Sequence, residues 1–249
     1  MSEQLEHDQN SSFKERSKKL QAWFQEPARG LLLKAEQHCI DHHLKNIFGH
    51  YACQMSAVSH LNLLEKSSVK YQFKLVVDVE RYPLTMLCDP YFWPVESGSL
   101  DVVLLHHVLE IAESPHRLLS QAAASIIPDG KLLIIGFNPC SMANISRWFI
   151  PERANVFKGC NFIQINRLKD WLTLLGFSVE EVSYGAYFHS FEWLFKGVLQ
   201  HCIEPYCGQR QLPLGCFYSI LAIRDVYGVS PIKKPWLKVH NQLIGYPAA

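Results

Sequence analysis

Two apolar runs with a helix-patterned segment between them, all within residues 100–139, constrain this chain more than any other feature. The stretch reads LDVVLLHHVLEIAESPHRLLSQAAASIIPDGKLLIIGFNP. Asp101 opens the first run, Val102, Val103, Leu104 and Leu105 form its body, and His106 and His107 fall where it gives out. Neither run alternates apolar with polar, so both faces of each strand need cover, as in a parallel sheet between helix layers. Between the runs, Leu118, Leu119, Ala122, Ala123 and Ile126 recur at the spacing of one helical face. Pro128, Asp129 and Gly130 predict a turn, with the positive φ assigned to Gly130. Parallel neighbours need a crossover of this kind, so the segment is a βαβ unit of an α/β fold.

The remaining elements are placed around that unit. Helices are expected over residues 13–24 and 28–44, and a short first strand with its turn over 46–51. Strands follow at 73–79 and 85–88. A helix spans 166–175, N-capped by Asn166 and closed by Gly176, and further strands lie at 177–184 and 217–225. Residues 1–12 read as a disordered tail, 13–225 as one domain with a helical cap at 13–44, and 226–249 as an extended C-terminal tail. The connection at 185–215 is long and carries Phe188, Phe191, Trp193, Leu194 and Phe195, too apolar for a solvated loop.

Charge and cysteine usage narrow the classes. Twenty-four Lys and Arg against 23 Asp and Glu give no basic face for gripping nucleic acid through phosphates. No apolar stretch is long enough to span a membrane, and the N-terminus lacks the apolar core of a secretory signal. Eight scattered cysteines include no Cys-x-x-Cys pair, which favours free thiols and a cytoplasmic protein. There is no Gly-x-Ser-x-Gly elbow and no Walker-type phosphate loop.

Several short motifs in residues 87–139 carry a family resemblance. The acid-led strand, the His107-Val108-Leu109-Glu110 run, Ser114-Pro115-His116, and the Pro128-Asp129-Gly130-Lys131-Leu132 turn resemble class I S-adenosylmethionine-dependent methyltransferases. The segment is most similar to the type 11 group, in a bacterial branch of unknown substrate. The resemblance implies a Rossmann-like, mostly parallel seven-stranded sheet with an antiparallel last strand and helices on both faces. It implies S-adenosylmethionine as cofactor and a small-molecule or lipid-like acceptor, in a monomer or homodimer. It also implies that the 185–215 insertion lies over the acceptor as a lid, an extra packed helix or dimer contact being the alternative.

The resemblance also assigns a cofactor site. In open α/β sheets ligands bind outside the carboxyl ends of the strands. The methionine end is expected on the turn at Phe48, Gly49 and His50, where the family shows two or three glycines and this chain one. Asp78, beside Val79, is the expected ribose acceptor, with Glu80 as the alternative. Cys88, Asp89 and Tyr91 are placed at the adenine. His106 and His107 face the methyl group and are candidate catalytic bases, of which adjacent strand geometry lets at most one face the pocket. No metal site is expected. The sparse glycine turn leaves a second reading open, a catalytically silent methyltransferase-fold protein acting as a binding or scaffold module.

Overall fold

The structure is a computed structural model and describes residues 2–78, 84–141, 156–187 and 213–226. Seven strands form one sheet: β1 (Tyr51–Ser56), β2 (Tyr71–Val76), β3 (Thr85–Leu87), β4 (Leu100–His106), β5 (Ile126–Phe137), β6 (Phe177–Gly185) and β7 (Phe217–Arg224). Their order is β3-β2-β1-β4-β5-β7-β6, and every neighbouring pair is parallel except those made by β7. The switch in strand order falls between β1 and β4, so their carboxyl ends frame the crevice where ligands bind in such sheets. The class I methyltransferase architecture inferred from the motifs is therefore the one observed.

The helices are α1 (Ser2–Phe24), α2 (Gly30–Leu44), α3 (Val108–Ile111), α4 (Pro115–Ser125) and α5 (Ile165–Leu174). The centre of the sheet is dry: Val102, Val103, Leu104, Leu132 and Leu133 are fully buried. Burial of each such side chain contributes roughly 1.5–3 kcal/mol, which fixes β4 and β5 as the rigid floor of any site at their ends.

Four expectations are corrected. The first strand lies at residues 51–56, not 46–51, because Tyr51 to Met55 pair in register with both β2 and β4. The expected tail at 1–12 is the first half of α1, whose opening Glu-Gln-Leu-Glu run is made of helix formers. The turn expected at 128–130 lies within β5 (Ile126–Phe137), where the positive φ belongs to Asp129, at 63°, and Gly130 is needed for space, since a Cβ there would sit 2.5 Å from Ile126. Gln164, not Asn166, is the N-cap of α5. Gly176, with φ 77°, follows α5 as expected.

Phe48, Gly49 and His50 consequently lie before β1, at the amino edge of the sheet, about 20 Å from the carboxyl ends at ~3.3 Å per strand residue. Asp101 holds them there. Its carboxylate accepts the His50 and Tyr51 backbone N–H groups at 2.9 and 2.8 Å, and a Cβ on Gly49 would come within 2.6 Å of it. These bonds are solvent-exposed, so water replaces them in part. Asp101→Ala should cost only about 1–2 kcal/mol of stability and leave cofactor affinity unchanged. Chemical denaturation alongside ligand titration checks both halves.

Candidate active site

The turn that follows β1 is Ala57-Val58-Ser59-His60, which contains no glycine. It is shaped instead by Gln54, whose buried amide donates to Leu61 O at 2.8 Å and accepts from Leu63 N at 2.9 Å. The β2 strand gives out at Val77 and Asp78 in the same crevice. Val79 and Glu80 lie outside the described residues.

Helix α1 lies across this crevice. Phe13, Ser17, Leu20 and Phe24 fall at i, i+4, i+7 and i+11 and so share one inward face. The contacts follow that spacing. Ser17 Oγ donates to Ala57 O at 2.9 Å, and Ser59 Oγ donates to Gln21 Oε1 at 3.2 Å. Arg16 donates to Ile111 O at 3.1 Å, and Lys18 pairs with Asp78 at 2.8 Å. The cleft beneath is walled by Met55, Ser56, Ser59, Val76, Val77 and Asp78, with α1 as its roof. With open solvent counted, its empty volume is about 410 Å³. Only about 30 Å³ of that is clear enough of the walls to take water.

The residues expected at the adenine make contacts within the protein. Asp89 accepts Tyr91 N at 2.7 Å, closing a turn, and the Tyr91 hydroxyl accepts the Glu113 and Ser114 N–H groups at 3.0 and 3.2 Å. Cys88 is buried after β3, and burial pushes its thiol up to about 12. Among the described walls of the cleft, Asp78 is the sole representative of the sequence-assigned cofactor residues.

At the end of β4 the two histidines enter a buried polar cluster. Glu36, from α2, receives both: His106 Nε2 at 3.2 Å and His107 Nε2 at 3.0 Å. His107 Nδ1 faces Glu110 Oε1 at 3.3 Å, and that oxygen also accepts Phe137 N at 2.7 Å. His106 Nδ1 meets Ser56 Oγ at 2.8 Å. Glu36, His106, His107 and Glu110 are all buried, and Glu110 Oε2 has no partner among the described residues. His107 has φ 54°, a left-handed conformation that costs a non-glycine residue about 1–3 kcal/mol. That twist lets both adjacent imidazoles reach Glu36. Two imidazoles and a carboxylate could also serve as cation donors, but here each Nε2 faces a carboxylate oxygen at hydrogen-bond distance.

Electrostatics set the protons. Burial would raise the Glu36 pKa, but the His107 charge and bonds from both histidines overcome it and hold it at about 2. Burial would lower that of His107, and the Glu36 charge with bonds from Glu110 and Glu36 instead raise it to about 9. His106 moves the other way, lowered first by burial and then by its charged neighbour. The pattern is one imidazolium held against the Glu36 carboxylate, beside one neutral imidazole.

The sequence reading missed Glu36 and Ser56. Glu36 does carry a signal: it falls at i+4 from Leu32 and i−4 from Ile40, inside the buried stripe of α2. A charged residue in such a stripe needs a buried partner.

A family model described as a methyltransferase domain matches residues 57–182, half of the chain, beginning at the turn after β1. The chain belongs to the methyltransferase-domain family. This methyltransferase is 30% identical over 171 residues, 69% of each chain, to the uncharacterized protein YafS of Escherichia coli K12. Its fold is similar to an S-adenosylmethionine-dependent methyltransferase of Thermotoga maritima described as a possible histamine N-methyltransferase (TM-score 0.60, 14% identity, 84% of this chain and 100% of that one). It is also similar to one from Archaeoglobus fulgidus (0.54, 16%, 76% and 94%) and to geranyl diphosphate C-methyltransferase of Streptomyces coelicolor (0.51, 12%, 77% and 77%). Its fold is thus the one those S-adenosylmethionine-dependent methyltransferases share. Glu36 and α1 lie outside the matched residues. Among the described residues, no helix is long and apolar enough to cross a membrane.

The chain fits that cofactor in part. Asp78 offers a carboxylate suited to vicinal hydroxyls, and Ser56 and Ser59 add polar atoms to the wall. Lys18 of α1 pairs with that carboxylate, and α1 covers the cleft.

Proposed function

We propose that the protein transfers the methyl group of S-adenosylmethionine to a small acceptor with an apolar body. The ribose would bind at Asp78, and the acceptor would sit toward the end of β4. The observation that carries this reading is the cleft at the carboxyl ends of β1 and β2, which has an acid at its rim and ends against the histidine cluster. Bound cofactor supplies an electrophilic methyl, so the protein's task is placement in a dry site. Phe24 and Phe137 lie against the His107 ring, tilted and stacked, and Trp23 and Phe157 pack edge-on against Phe137, with ring centroids 3.9 to 5.8 Å apart. These buried rings keep water from the cluster at the end of β4.

The 185–215 insertion is our candidate for acceptor-side cover. Phe188, Phe191, Trp193, Leu194 and Phe195 lie outside the described residues. Support comes from where the segment leaves and returns: Gly215 abuts Gly185, and Asn138, just past β5, donates to Pro213 O and Gly215 O. A second reading, a silent binding module, draws on the glycine-free turn and the roofed cleft.

Calorimetric titration with S-adenosylhomocysteine separates the two. The wild type should bind, and Asp78→Ala should lose about 1.5–3 kcal/mol, roughly 10- to 150-fold in affinity. Equal affinity in both proteins would remove Asp78 from the site. No binding by the wild type would favour the silent module.

A further inference from the structure

Ser56 touches both the cleft and the buried cluster. It lines the cleft, and its hydroxyl lies 2.8 Å from His106 Nδ1, whose other nitrogen lies 3.2 Å from Glu36. Serine, histidine and carboxylate in hydrogen-bonded series form the arrangement by which a side-chain oxygen hands a proton to a base held by an acid. We propose that Ser56, His106 and Glu36 form a proton relay out of the cleft, and that the methyl acceptor is accordingly protic, reacting through an O–H or N–H group. The inference rests on the methyltransferase reading and adds to it the class of acceptor and the path of its proton.

Proton counting supports the direction of flow. Glu36 lacks a proton to give, so the 3.2 Å contact requires His106 to donate from Nε2. Its Nδ1 is then a lone pair, and Ser56 must donate to it. The Ser56 oxygen accepts Val58 N–H at 3.0 Å and keeps one lone pair for a donor in the cleft. Burial and the neighbouring His107 disfavour charge on His106, so the proton it accepts is held by the contact to Glu36.

The step balances. As the acceptor's oxygen or nitrogen bonds the methyl carbon, the carbon–sulfur bond breaks and its electron pair stays on sulfur. The acceptor's proton passes to Ser56 Oγ while the Ser56 proton passes to His106 Nδ1, and the resulting imidazolium stays bonded to Glu36. Other groups facing His106 are His107 beside it, the Glu110 charge from α3 and the Phe24 ring from α1. None of these offers a competing route to the cleft.

The test is nitrogen NMR of the full chain labelled with [15N]histidine, near neutral pH, with His106→Gln used to assign its signals. The relay requires a pyridine-type Nδ1 and a pyrrole-type Nε2 on His106. It also requires that Ser56→Ala shift the Nδ1 signal more than the Nε2 signal. The opposite tautomer, a doubly protonated His106, or an Nδ1 signal indifferent to Ser56→Ala would each overturn it. S-adenosylhomocysteine titration of the same samples keeps the two readings apart. Absence of binding alongside the required tautomer defeats the methyltransferase reading, and binding alongside the wrong tautomer defeats the relay alone.

Discussion

Glu36→Ala is expected to lower stability by about 3–5 kcal/mol, the range for removing one partner of a buried charge pair. For a domain of this size that corresponds to a fall in Tm of roughly 6–20 °C. The cause is specific. Glu36 is the shared partner of His106 and His107, and all three are fully enclosed. Without it, the His107 imidazolium keeps Glu110 alone, and His106 Nε2 loses its partner. Glu36→Gln restores acceptors without the charge and should fall between the two. A melting point for Glu36→Ala within about 2 °C of wild type, less than 1 kcal/mol here, would mean that the cluster does not hold α2 to the sheet.

Stability should also fall as pH rises from about 6.5 to 9. His107 has a folded pKa raised from 6.5 to about 9, so its contribution is complete below 6.5 and disappears as pH climbs through 9. Glu36 is depressed from 4.5 to about 2, so its contribution is complete above 4.5 and lost on acidification toward 2. The window in which both hold is about pH 4.5 to 6.5. Much of both shifts comes from one contact, so they are not summed. The His107 shift alone is on the order of 3 kcal/mol. Denaturant midpoints at pH 6 and pH 9 give the measurement. His107→Gln should be less stable throughout and should lose the slope between those two values. An unchanged slope in that variant would assign the dependence to another group.

How far the sequence went depends on how local each signal was. The β4–α4–β5 unit was legible because its apolar runs are long and bounded by Pro, Asp and Gly. The start of β1 was not, because Gln54 interrupts an otherwise apolar strand, and Gly49-His50 resembles a turn. Only tertiary bonds from Gln54 to Leu61 and Leu63 reveal where the strand ends. The place of Asp78 at the cleft was legible because it ends a clear apolar run. The site residues contributed from afar were harder. Glu36 lies 70 positions from His106, and Ser56 joins His106 through the β1–β4 register, where the two are direct partners. The role of α1 was hidden for another reason. Its inward face looks like ordinary packing, and nothing local shows that the surface it covers is the carboxyl edge of the sheet.

A crystal structure of the protein with S-adenosylhomocysteine bound tests the central claim most directly. The expected result has the ribose hydroxyls within hydrogen-bond distance of Asp78, the Lys18–Asp78 pair and the Ser17–Ala57 bond broken, and the sulfur directed toward Ser56 and the end of β4. A ligand bound away from the β1–β2 crevice, or bound there with α1 unmoved and Asp78 still paired to Lys18, would contradict it.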